Sequence, residues 1–535
     1  MWRDRQNHPV RQEAHYTDRV IPCFTNRPVN LSEILHTNAK LFPNEPALIG
    51  EEGTITHAAL SDKAHRIGNG LIAKGVKPGD RVAMLVGNRF AFAEVLAACW
   101  TIGAIFLPMN PLMRAQEIEF VLNQSKATAV VYDKEFAANL PDRNSTPSVN
   151  HWIEAYGNNT YEALAKHEPT TPFTQSETDT SALLYTSGTT GRPKGAKLTH
   201  LSIIHGALQL AYGLEMTEQS RMLLASPASH VTGLVGNIIA AWSVGAGVVF
   251  MRAFKAQKAL SAIETEGVSH TLMAPAMYKL CLLAPDIDQY NLSSWRYGAY
   301  GGAPMPEADI AALSIAVPNL GLINTYGATE ASSGHTALPA SLAASHRTSV
   351  GGALHCSQIL IMNDDGTEVA TGETGEIWMK GGNVIPGYWD NPEANAANFV
   401  GGYWKSGDIG RMDQDGLIYV MDRKKDMLNR GGYKIYSSEV ENQLSFHPAI
   451  TECAVIAKPC EVLGERVRAV VVIHPNKFDL DQTLATDIQA FAAKHLSEYK
   501  VPEDIIFRDT PLPRNANGKI LKNLLREEYA HNEQL

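Results

Sequence analysis

Short apolar segments alternate with amphipathic helical windows along most of this chain, and that alternation most limits the folds that the chain can adopt. Residues 81–86 (RVAMLV) have the pattern of a buried strand, and the window after them places Phe92, Val95, Leu96 and Cys99 at helical spacing. Further strands are predicted at 104–107, 128–132, 248–251, 269–273 and 322–325. Repeated strand–helix units of this kind predict an α/β fold with layered, largely parallel sheets.

The sequence changes character near residue 420. A turn at 413–416 (DQDG) and a charged run at 422–426 (DRKKD) precede a smaller α+β pattern, with helices predicted at 438–446 and 484–495 and strands at 453–457 and 467–474. We predict an N-terminal arm at 1–30, a large N-terminal domain of layered sheets and helices at 31–421, a hinge at 422–426 and a small mobile α+β C-terminal domain at 427–535. A charged run alone is more often an ordinary surface loop, and the arm has no pattern that assigns it a structure.

Charge and cysteine content exclude several classes of protein. The 535 residues include 46 Lys and Arg against 56 Asp and Glu, so the formal net charge of −10 leaves no basic surplus for binding a nucleic acid. The six cysteines are scattered without a CxxC pair, which is typical of reduced thiols rather than of disulfides or zinc ligands. The first residues lack an apolar signal segment, and no apolar run long enough for a membrane span occurs. These features favour a cytoplasmic protein without integral membrane association, and a homodimer is left open.

The strongest chemical signal is the segment 186–195, TSGTTGRPKG, which follows an apolar strand at 182–185. Its glycines let the backbone approach an anion closely, its hydroxyl groups are donors, and a lysine adds a mobile positive charge. It is not a Walker A loop, because Gly191 is followed by Arg192. We predict that the segment binds the β- and γ-phosphates of a nucleotide, with a glycine-rich surface turn as the alternative. The candidate contacts are Thr186, Ser187, Gly188, Thr189, Thr190, Gly191 and Lys194.

This loop, with the GAKLTH that overlaps its end, closely resembles the phosphate loop of the adenylate-forming superfamily, which includes acyl-CoA synthetases, luciferases and peptide-synthetase adenylation domains. Further segments resemble the family's motifs in the same order along nearly the whole chain. They are the adenine-facing GGAP (Gly301, Gly302, Ala303 and Pro304), NTYGATE at 324–330, YWKSGDIG at 403–410, DRKKDMLNRGGYKIYSSEVE at 422–441 and PRNANGK at 513–519. The resemblance implies the family's two-domain fold and the ATP-dependent activation of a carboxylic acid.

The segment 324–330 has residue types that suit a nucleotide and a metal ion. By resemblance, Asn324, Tyr326 and Gly327 belong to the nucleotide site, and the ring of Tyr326 can stack on a base. Thr329 can donate to an α-phosphate, and Glu330 can hold Mg²⁺, a hard cation that takes carboxylate and phosphate oxygens. A lone glutamate would by default be a solvated carboxylate at a helix start. This one follows a predicted strand end, where open α/β sheets bind ligands.

The remaining charged candidates lie in the later motifs. Asp408, in a tight Ser-Gly-Asp turn, can accept hydrogen bonds from both ribose hydroxyls, and by resemblance Arg423 shares the ribose and phosphate contacts. Lys519 is predicted to carry the first step, because attack of a carboxylate on the α-phosphate gathers negative charge that a bridging ammonium offsets. An exposed lysine near a chain end is usually only solvated, so this prediction depends on the PRNANGK context.

The hinge implies a second step. If Lys519 must leave once acyl-AMP exists, a swinging C-terminal domain presents another face for attack by the thiol of CoA. By resemblance, Lys425 matches the family's pivot, and Gly431 and Gly432 match a loop that lines the pantetheine channel. A plain hairpin turn accounts for a Gly-Gly pair equally well.

The acid is only partly defined by the sequence. By resemblance, His230 occupies the position that gates the acyl pocket, and a structural histidine is the alternative. Its neighbours Val231 and Thr232 offer no acid to pair with an α-ammonium, which argues against amino-acid substrates. The sequence Asn324-Thr325-Tyr326 lacks the tryptophan with which short-chain synthetases close their pocket. A medium-length, branched or aromatic monocarboxylic acid is therefore predicted, with Tyr278, Met277, Gly302, Ala328 and Ser333 as candidate wall residues.

Taken with the resemblance, the motifs predict an acid–thiol ligase. Carboxylate and ATP, with Mg²⁺, give acyl-AMP and pyrophosphate, and CoA then gives acyl-CoA and AMP. The nearest alternative is a stand-alone adenylation enzyme that loads a carrier-protein phosphopantetheine. A luciferase-like oxygenase is disfavoured because nothing marks a luminophore site. The alternative from another class is a non-catalytic nucleotide-binding regulator, against which the presence of Glu330, Asp408 and Lys519 argues.

Overall fold

In a computed structural model of the chain, the described residues are 8–156, 160–186, 193–303, 305–343, 345–474, 482–514 and 520–530. The chain divides into two compact units. Unit 1 comprises Met1–Ile359, Trp378–Lys405 and Gly416–Ile418, and unit 2 comprises Leu360–Ile377, Ser406–Asp415 and Tyr419–Leu535. The predicted fold class, a mixed α/β protein with a large N-terminal and a small C-terminal domain, is confirmed.

Strands and helices alternate along unit 1 as the apolar pattern predicts. The strands of the chain are β1 (Val10–His15), β2 (Arg19–Phe24), β3 (Pro46–Gly50), β4 (Gly53–Thr56), β5 (Arg81–Leu85), β6 (Ile105–Pro108), β7 (Ala129–Asp133), β8 (His151–Ala155), β9 (Thr180–Thr186), β10 (Lys194–Thr199), β11 (Arg221–Leu224), β12 (Gly247–Phe250), β13 (His270–Met273), β14 (Tyr297–Tyr300), β15 (Gly321–Ala328), β16 (Ser333–Leu338), β17 (Gly351–Ala353), β18 (Ser357–Met362), β19 (Thr374–Gly381), β20 (Phe399–Val400), β21 (Tyr403–Met412), β22 (Leu417–Arg423), β23 (Leu428–Arg430), β24 (Tyr433–Ile435), β25 (Ile450–Cys460), β26 (Gly464–Ile473) and β27 (Asp504–Arg508).

The helices lie between these strands. They are α1 (Leu31–Leu41), α2 (His57–Ala73), α3 (Phe90–Ile102), α4 (Ala115–Ser125), α5 (Thr160–Leu164), α6 (His200–Gly213), α7 (Ala240–Trp242), α8 (Ala256–Glu266), α9 (Pro275–Leu282), α10 (Glu307–Ala316), α11 (Ala340–Ala343), α12 (Pro392–Asn398), α13 (Ser437–Leu444), α14 (Gln482–Ala493) and α15 (Lys522–Ala530). A π-helix covers Thr232–Ile239, and 3₁₀ turns occur at Lys134–Asn139, Arg143–Ser145, Ile287–Gln289, Thr329–Ala331 and Glu498–Lys500.

Two sheets, each with a run of parallel strands, form the core of unit 1. In the first, the strand order is β10-β9-β6-β5-β7-β8, parallel throughout except for the antiparallel pair β9–β10. In the second, β15, β14, β13, β11, β12 and β3 are parallel neighbours in that order. The predicted strands at 81–86, 104–107, 128–132 and 248–251 fall on β5, β6, β7 and β12 within a residue or so at each end. Every residue of α3, the predicted helix after β5, is buried.

Unit 2 contains its own small sheet, with strand order β24-β23-β26-β25 and β27 parallel to β26. The long hairpin β25–β26 alternates its side chains between two apolar clusters, as a two-sided strand must. One face packs on α13 and α14, through Val455 and Ile488 among others, and the opposite face packs on α15 through Ile456 and Leu525. The predicted helices at 438–446 and 484–495 correspond to α13 and α14.

The N-terminal arm, which the sequence left without a structure, contains the antiparallel hairpin β1–β2. The last residue of β2 and the first residue of α1 are held by buried histidines of α6, because Phe24 N–H donates to His205 Nε2 and Leu31 N–H donates to His200 Nδ1, both at 3.2 Å. Desolvation by burial lowers the pKa of each histidine to about 4. The neutral rings therefore act as acceptors that fix the arm to the rest of unit 1.

A buried arginine extends this contact toward the end of β15. Arg19 Nη1 donates to the Ile385 carbonyl at 3.3 Å, and the Ile385 N–H donates to the Glu330 carbonyl at 3.0 Å. The Arg19 side chain is 1% exposed and is also paired with Asp18. The hairpin thus supports the backbone of a predicted site residue.

Across the described residues, no helix is both long enough and apolar enough to cross a membrane.

Candidate active site

The predicted phosphate loop joins two antiparallel strands of unit 1. β9 ends at Thr186 and β10 begins at Lys194, and these two half-buried residues face each other in the register. Directly paired residues in a ladder present their side chains on the same face. A hydroxyl and an ammonium group therefore flank the mouth of the loop. The intervening predicted contacts, Ser187, Gly188, Thr189, Thr190 and Gly191, lie outside the described residues.

The Thr-Glu pair occupies the single 3₁₀ turn Thr329–Ala331 that follows β15. Glu330 is 8% exposed. Its Oε1 accepts hydrogen bonds from Tyr388 Oη at 2.9 Å and from Thr186 Oγ1 at 3.5 Å. The structure thus brings the first residue of the phosphate loop and the predicted metal ligand together, although 144 positions separate them in the sequence.

The surroundings of Glu330 fit a hard cation. Mg²⁺ takes few protein carboxylates and completes its shell with phosphate and water oxygens. Glu330 supplies a carboxylate in a largely buried turn beside the mouth of the phosphate loop, and the hydroxyl of Thr186 adds a further oxygen nearby. The residues present therefore fit Mg²⁺, which Glu330 would hold and whose positive charge would offset that of nucleotide phosphates.

The base-facing segments lie at the carboxyl ends of two neighbouring parallel strands, where open α/β sheets bind ligands. Gly301 follows β14, and a Cβ there would lie 2.4 Å from the Thr325 carbonyl oxygen, so only glycine allows this approach. Gly302 and Ala303 are exposed, and Pro304 lies outside the described residues. Asn324 donates to the Ser349 carbonyl at 2.9 Å, which gives this predicted nucleotide residue a structural bond.

The two other predicted residues of β15 lie toward its end. Tyr326 is half-buried and Gly327 is exposed, and both pair with β16. Their distance from Thr329 along the chain is short, so the predicted base and α-phosphate contacts share one edge of the sheet.

Tyr388 is a site residue that sequence reasoning missed. Its ring lies with its centroid 5.3 Å from Lys194 Nζ, while its hydroxyl donates to Glu330. The residue therefore touches both the lysine of the phosphate loop and the predicted metal ligand. The only sequence signal is the aromatic pair Tyr388-Trp389 after Gly387, which carries no periodicity that would mark it.

His230 lies just before the π-helix Thr232–Ile239 and is partly buried. Its Nδ1 lies 3.2 Å from Thr232 Oγ1, and desolvation by burial lowers the pKa of the ring. A neutral imidazole of this kind suits an apolar acyl pocket, and the gating role stays a prediction.

One expected wall residue belongs instead to the core. Tyr278 is fully buried, its hydroxyl donates to the Ala299 carbonyl at 2.7 Å, and its ring stacks on Trp295 with 5.9 Å between centroids. The expectation that Tyr278 is a wall residue of the acyl pocket is therefore wrong. Of the other candidates, Met277, Gly302 and Ala328 are partly or fully exposed, and Ser333 is buried.

The predicted ribose contacts are adjacent within unit 2. Arg423 Nε lies 3.4 Å from Asp408 Oδ1, and the Asp408 N–H donates to Ser406 Oγ at 3.0 Å. The Arg423 side chain is 45% exposed and that of Asp408 is 13% exposed. The pair thus presents a carboxylate and a guanidinium together at the surface of this unit.

Gly431 and Gly432 form the two-residue turn between β23 and β24, with φ of 60° and 91°. Positive φ at both positions is what a type I′ hairpin turn requires, so the turn by itself accounts for both glycines. Their lining of a thiol channel stays a prediction. Lys425, the predicted pivot, is exposed, and Lys519 lies outside the described residues.

Three potential metal ligands also converge in the described part of the N-terminal hairpin, namely Glu13, His15 and Cys23. Glu13 is already saturated, since Arg27 donates to both of its oxygens at 3.1 and 2.6 Å and Arg11 donates at 2.6 Å. The Arg27 hydrogen bonds lower the pKa of Glu13 to about 2. The cluster is an ion-pair network that holds the hairpin.

Two family models match this chain, one in each of two parts. The model of the AMP-binding enzyme family matches residues 35–389, and that of the AMP-binding enzyme C-terminal domain matches residues 439–519. A feruloyl-CoA synthase from Amycolatopsis sp. is 35% identical over 92% of this chain and 97% of its own length. A fatty acid–[acyl-carrier-protein] ligase from Streptomyces coeruleorubidus is 32% identical over 91% of this chain and 94% of its own length.

Solved structures give the same result. The o-succinylbenzoate CoA synthetase of Bacillus subtilis, in complex with its acyl-adenylate intermediate, superposes with a TM-score of 0.83 at 29% identity, covering 92% of this chain and 97% of that one. The same enzyme in complex with ATP and a magnesium ion has a TM-score of 0.82 at 30% identity and covers 92% of this chain and 99% of that one.

Proposed function

The chain belongs to the AMP-binding enzyme family, and from that premise we propose that it is an AMP-forming acyl-CoA ligase acting on an aromatic or medium-chain monocarboxylic acid. The observation that carries the proposal is the cluster of Thr186, Lys194 and Glu330 at the mouth of the phosphate loop. The chain is an acid–thiol ligase that uses ATP, Mg²⁺ and CoA, as the names and ligands of its relatives support.

The reaction proceeds in two steps. A carboxylate oxygen of the acid attacks the α-phosphorus of ATP, and the bond to the pyrophosphate oxygen breaks, which leaves acyl-AMP and pyrophosphate. The CoA sulfur, having lost its proton, then attacks the acyl carbon, and AMP leaves with the electron pair of the acyl–oxygen bond.

Individual residues are assigned to the first step as part of this proposal. Lys194 and the hydroxyl of Thr186 hold the terminal phosphates, and Thr329 donates to the α-phosphate. Glu330 holds the Mg²⁺, which offsets phosphate charge when bound. Lys519 bridges carboxylate and α-phosphate, where charge gathers in the transition state.

Other residues bind and position the substrates. Asp408 and Arg423 hold the ribose, His230 gates the acyl pocket, and Gly431 and Gly432 line the path of the thiol. The hinge at 422–426, with Lys425 as its pivot, separates the two steps. A cytoplasmic location is part of the same proposal, and its support is that the six cysteines, all within the described residues, are free thiols.

A second acceptor is kept because one relative is an acyl-carrier-protein ligase. A carrier phosphopantetheine ends in the same thiol as CoA, so both acceptors fit the same second step. The two candidates differ only in what must be supplied for turnover.

The deciding experiment is pyrophosphate release with Mg-ATP and a panel of straight-chain, branched, aryl and amino acids, run with and without CoA. Acid-dependent release that turns over only with CoA establishes the ligase and names its substrate class. Release that stalls at one equivalent in the presence of CoA indicates a carrier protein. An enzyme that binds ATP but releases no pyrophosphate with any acid would contradict the proposal.

Lys519→Ala divides the two steps. We expect it to lower pyrophosphate release by about 10²–10³, the usual cost of one lost transition-state donor, while transfer of supplied acyl-AMP to CoA continues. Equal loss in both half-reactions would contradict the assignment of Lys519 to the first step.

A further inference from the structure

Tyr388 lies on a segment that runs beside the second strand of the phosphate loop. Lys197 N–H donates to the Gly387 carbonyl at 3.1 Å, and Trp389 N–H donates to the Gly195 carbonyl at 2.7 Å. These bonds continue the sheet past β10 by one short segment. They fix the register of Tyr388 against β10, so that its ring reaches Lys194 at the start of that strand.

The ring is held rigidly from its other side. Asn395 clamps the Tyr388 backbone, since its Oδ1 accepts from the Tyr388 N–H at 2.6 Å and its Nδ2 donates to the Tyr388 carbonyl at 3.1 Å. Phe399 packs edge-on against the ring with 5.7 Å between centroids. The residue is 4% exposed. A tyrosine fixed in this way loses little further freedom when it orients another group.

Both ends of the side chain contact charged candidates of the site. The hydroxyl donates to Glu330 Oε1 at 2.9 Å, and the ring face lies 5.3 Å from the ammonium of Lys194. Hydrogen bonds to a carboxylate are stronger than neutral ones, and a cation over an aromatic face is attracted by the ring. The phenolic hydroxyl is the donor in this contact, and the Glu330 carboxylate is the acceptor.

We propose that Tyr388 is a positioning residue for adenylation, whose hydroxyl holds the Glu330 carboxylate in the orientation that takes Mg²⁺ and whose ring holds Lys194 beside it. The inference rests on the proposed function, because it assigns Glu330 and Lys194 their metal and phosphate roles. It goes beyond that proposal in joining the two roles through one residue that touches neither reacting atom.

The test is the Mg²⁺ dependence of pyrophosphate release by Tyr388→Phe, measured on the full chain at fixed ATP and acid. Phenylalanine keeps the ring and removes only the hydroxyl. We expect the half-saturating Mg²⁺ concentration to rise about tenfold, the loss typical of a hydrogen bond to a charged group, while saturating Mg²⁺ restores the rate to within about threefold of the unmodified enzyme. Unchanged Mg²⁺ dependence, or a rate loss that Mg²⁺ does not restore, would overturn the proposal.

Tyr161→Phe is the matched control. Tyr161 is also a buried tyrosine of unit 1, 3% exposed, whose hydroxyl donates to a buried carboxylate, that of Glu94. The control therefore carries the general cost of removing such a bond, and we expect it to leave the half-saturating Mg²⁺ concentration unchanged. A similar rise in the control would show that the effect of Tyr388→Phe is one of general stability and would overturn the proposal.

A double-mutant cycle with Glu330→Gln tests whether Tyr388 acts through Glu330. Residues that act through one contact show non-additive effects. We expect Tyr388→Phe to change the rate of pyrophosphate release, measured below saturating Mg²⁺, less than about twofold when Glu330 is already glutamine. A further tenfold loss in that background would contradict action through Glu330.

The ring is tested separately with Tyr388→Leu. Because leucine removes the face beside Lys194, we expect the KM for ATP at saturating Mg²⁺ to rise about fivefold above that of Tyr388→Phe, within the usual range of a cation–ring contact. Equal KM values for the two variants would remove Lys194 from the inference.

Failure of the proposed function is distinguishable from failure of this inference. Calorimetric binding of ATP at low and high Mg²⁺, without any acid, reports on Glu330 and Tyr388 even if no acid is activated. A panel without pyrophosphate release, combined with weaker Mg²⁺-dependent ATP binding by Tyr388→Phe, would overturn the ligase and retain Tyr388. Pyrophosphate release by the unmodified enzyme, combined with unchanged Mg²⁺-dependent ATP binding by Tyr388→Phe, would retain the ligase and overturn the role of Tyr388.

Discussion

Two groups of candidate site residues, which include Tyr388 and Lys424 beside the predicted ones, have opposite surroundings. The phosphate-side cluster (Thr186, Lys194, Glu330 and Tyr388) belongs to unit 1, and its carboxylate and tyrosine are 8% and 4% exposed. The hinge-side cluster (Asp408, Arg423, Lys424, Gly431 and Gly432) belongs to unit 2, where the Arg423 and Lys424 side chains are 45% and 44% exposed. The Glu330 carboxylate of the first group is held by hydrogen bonds inside the protein, whereas Asp408, Arg423 and Lys424 of the second group form ion pairs at its surface.

The difference matters because buried and exposed charges respond differently to rearrangement. An exposed ion pair contributes only about 0–1 kcal/mol, so its members exchange partners at little cost. Breaking a hydrogen-bonded buried charge costs several times more, because the remaining group is left without a partner. We therefore expect the phosphate-side cluster to keep one geometry through the reaction and the hinge-side cluster to change its contacts.

The largest expected effect tests the phosphate-side cluster. Glu330→Gln keeps the shape of the side chain and removes the charge that holds Mg²⁺, so we expect pyrophosphate release to fall by about 10²–10³. Transfer of supplied acyl-AMP to CoA should be unchanged, since no phosphate is then displaced from ATP. Measuring both half-reactions on one preparation makes the comparison, and a loss in the transfer step would break the assignment of this cluster to adenylation alone.

The next largest effect tests the hinge-side cluster. Gly432→Leu places a side chain in the predicted thiol path, and we expect thioester formation to fall on the order of 10²-fold, as for a misplaced reacting group, while pyrophosphate release continues. A left-handed backbone also costs a non-glycine residue roughly 1–2 kcal/mol of stability.

Gly372→Leu separates these two effects. Gly372 also belongs to unit 2, its φ is also 91°, and a Cβ there, as at Gly432, meets no atom within 4 Å. Both variants should therefore lose similar stability, measured by urea unfolding, and only Gly432→Leu should lose thioester formation. Equal loss of thioester formation in the two variants would reduce the effect to backbone strain and remove the channel assignment.

The smallest expected effect concerns the pH dependence of stability and a histidine that supports the phosphate-side cluster. His335 is fully buried; its Nδ1 lies 3.0 Å from the side-chain amide of Asn383, which donates to the Ala331 carbonyl next to Glu330. Desolvation lowers the pKa of His335 from 6.5 to about 4. Between these values the unfolded chain binds a proton that the folded chain excludes, so the free energy of unfolding falls as the pH drops from about 6.5 to about 4.

His335→Asn provides the measurement. Between pH 7 and pH 5 this histidine should account for about 2 kcal/mol of lost stability, so the unfolding free energy of the variant should fall by that much less than that of the unmodified protein over the same interval. Urea unfolding at the two pH values makes the comparison. Identical pH dependence in the two proteins would show that His335 does not titrate with unfolding.

The parts of the fold that the sequence predicted are those that depend on local apolar pattern. The strand at 81–86 is visible as a short apolar run, and the hairpin and helices of the C-terminal unit are visible because burial of one face imposes a period of two or 3.6 on neighbouring residues. The N-terminal hairpin was not predicted, since it is held by the hydrogen bond from Phe24 to His205, which lies far from it in the sequence.

The site divides in the same way. The residues of the phosphate loop and the Thr-Glu pair were proposed from motifs, but Tyr388 was missed because its contact with Glu330 spans 58 positions and leaves no local signal. Tyr278 was misassigned for a related reason. Its place in the core is set by Trp295 and Ala299, and a short apolar window around the residue does not distinguish a core tyrosine from one that lines a pocket.

The N-terminal hairpin has a practical consequence for anyone who trims or fuses this protein. The family match begins at residue 35, so a boundary drawn from it would discard the hairpin as a dispensable leader. Such a cut would remove Arg19 from the Ile385 carbonyl and uncover the imidazoles of His200 and His205. A shortened version made for expression or crystallisation would therefore expose buried side chains of α6 to solvent. The smallest intact version of the enzyme starts before β1.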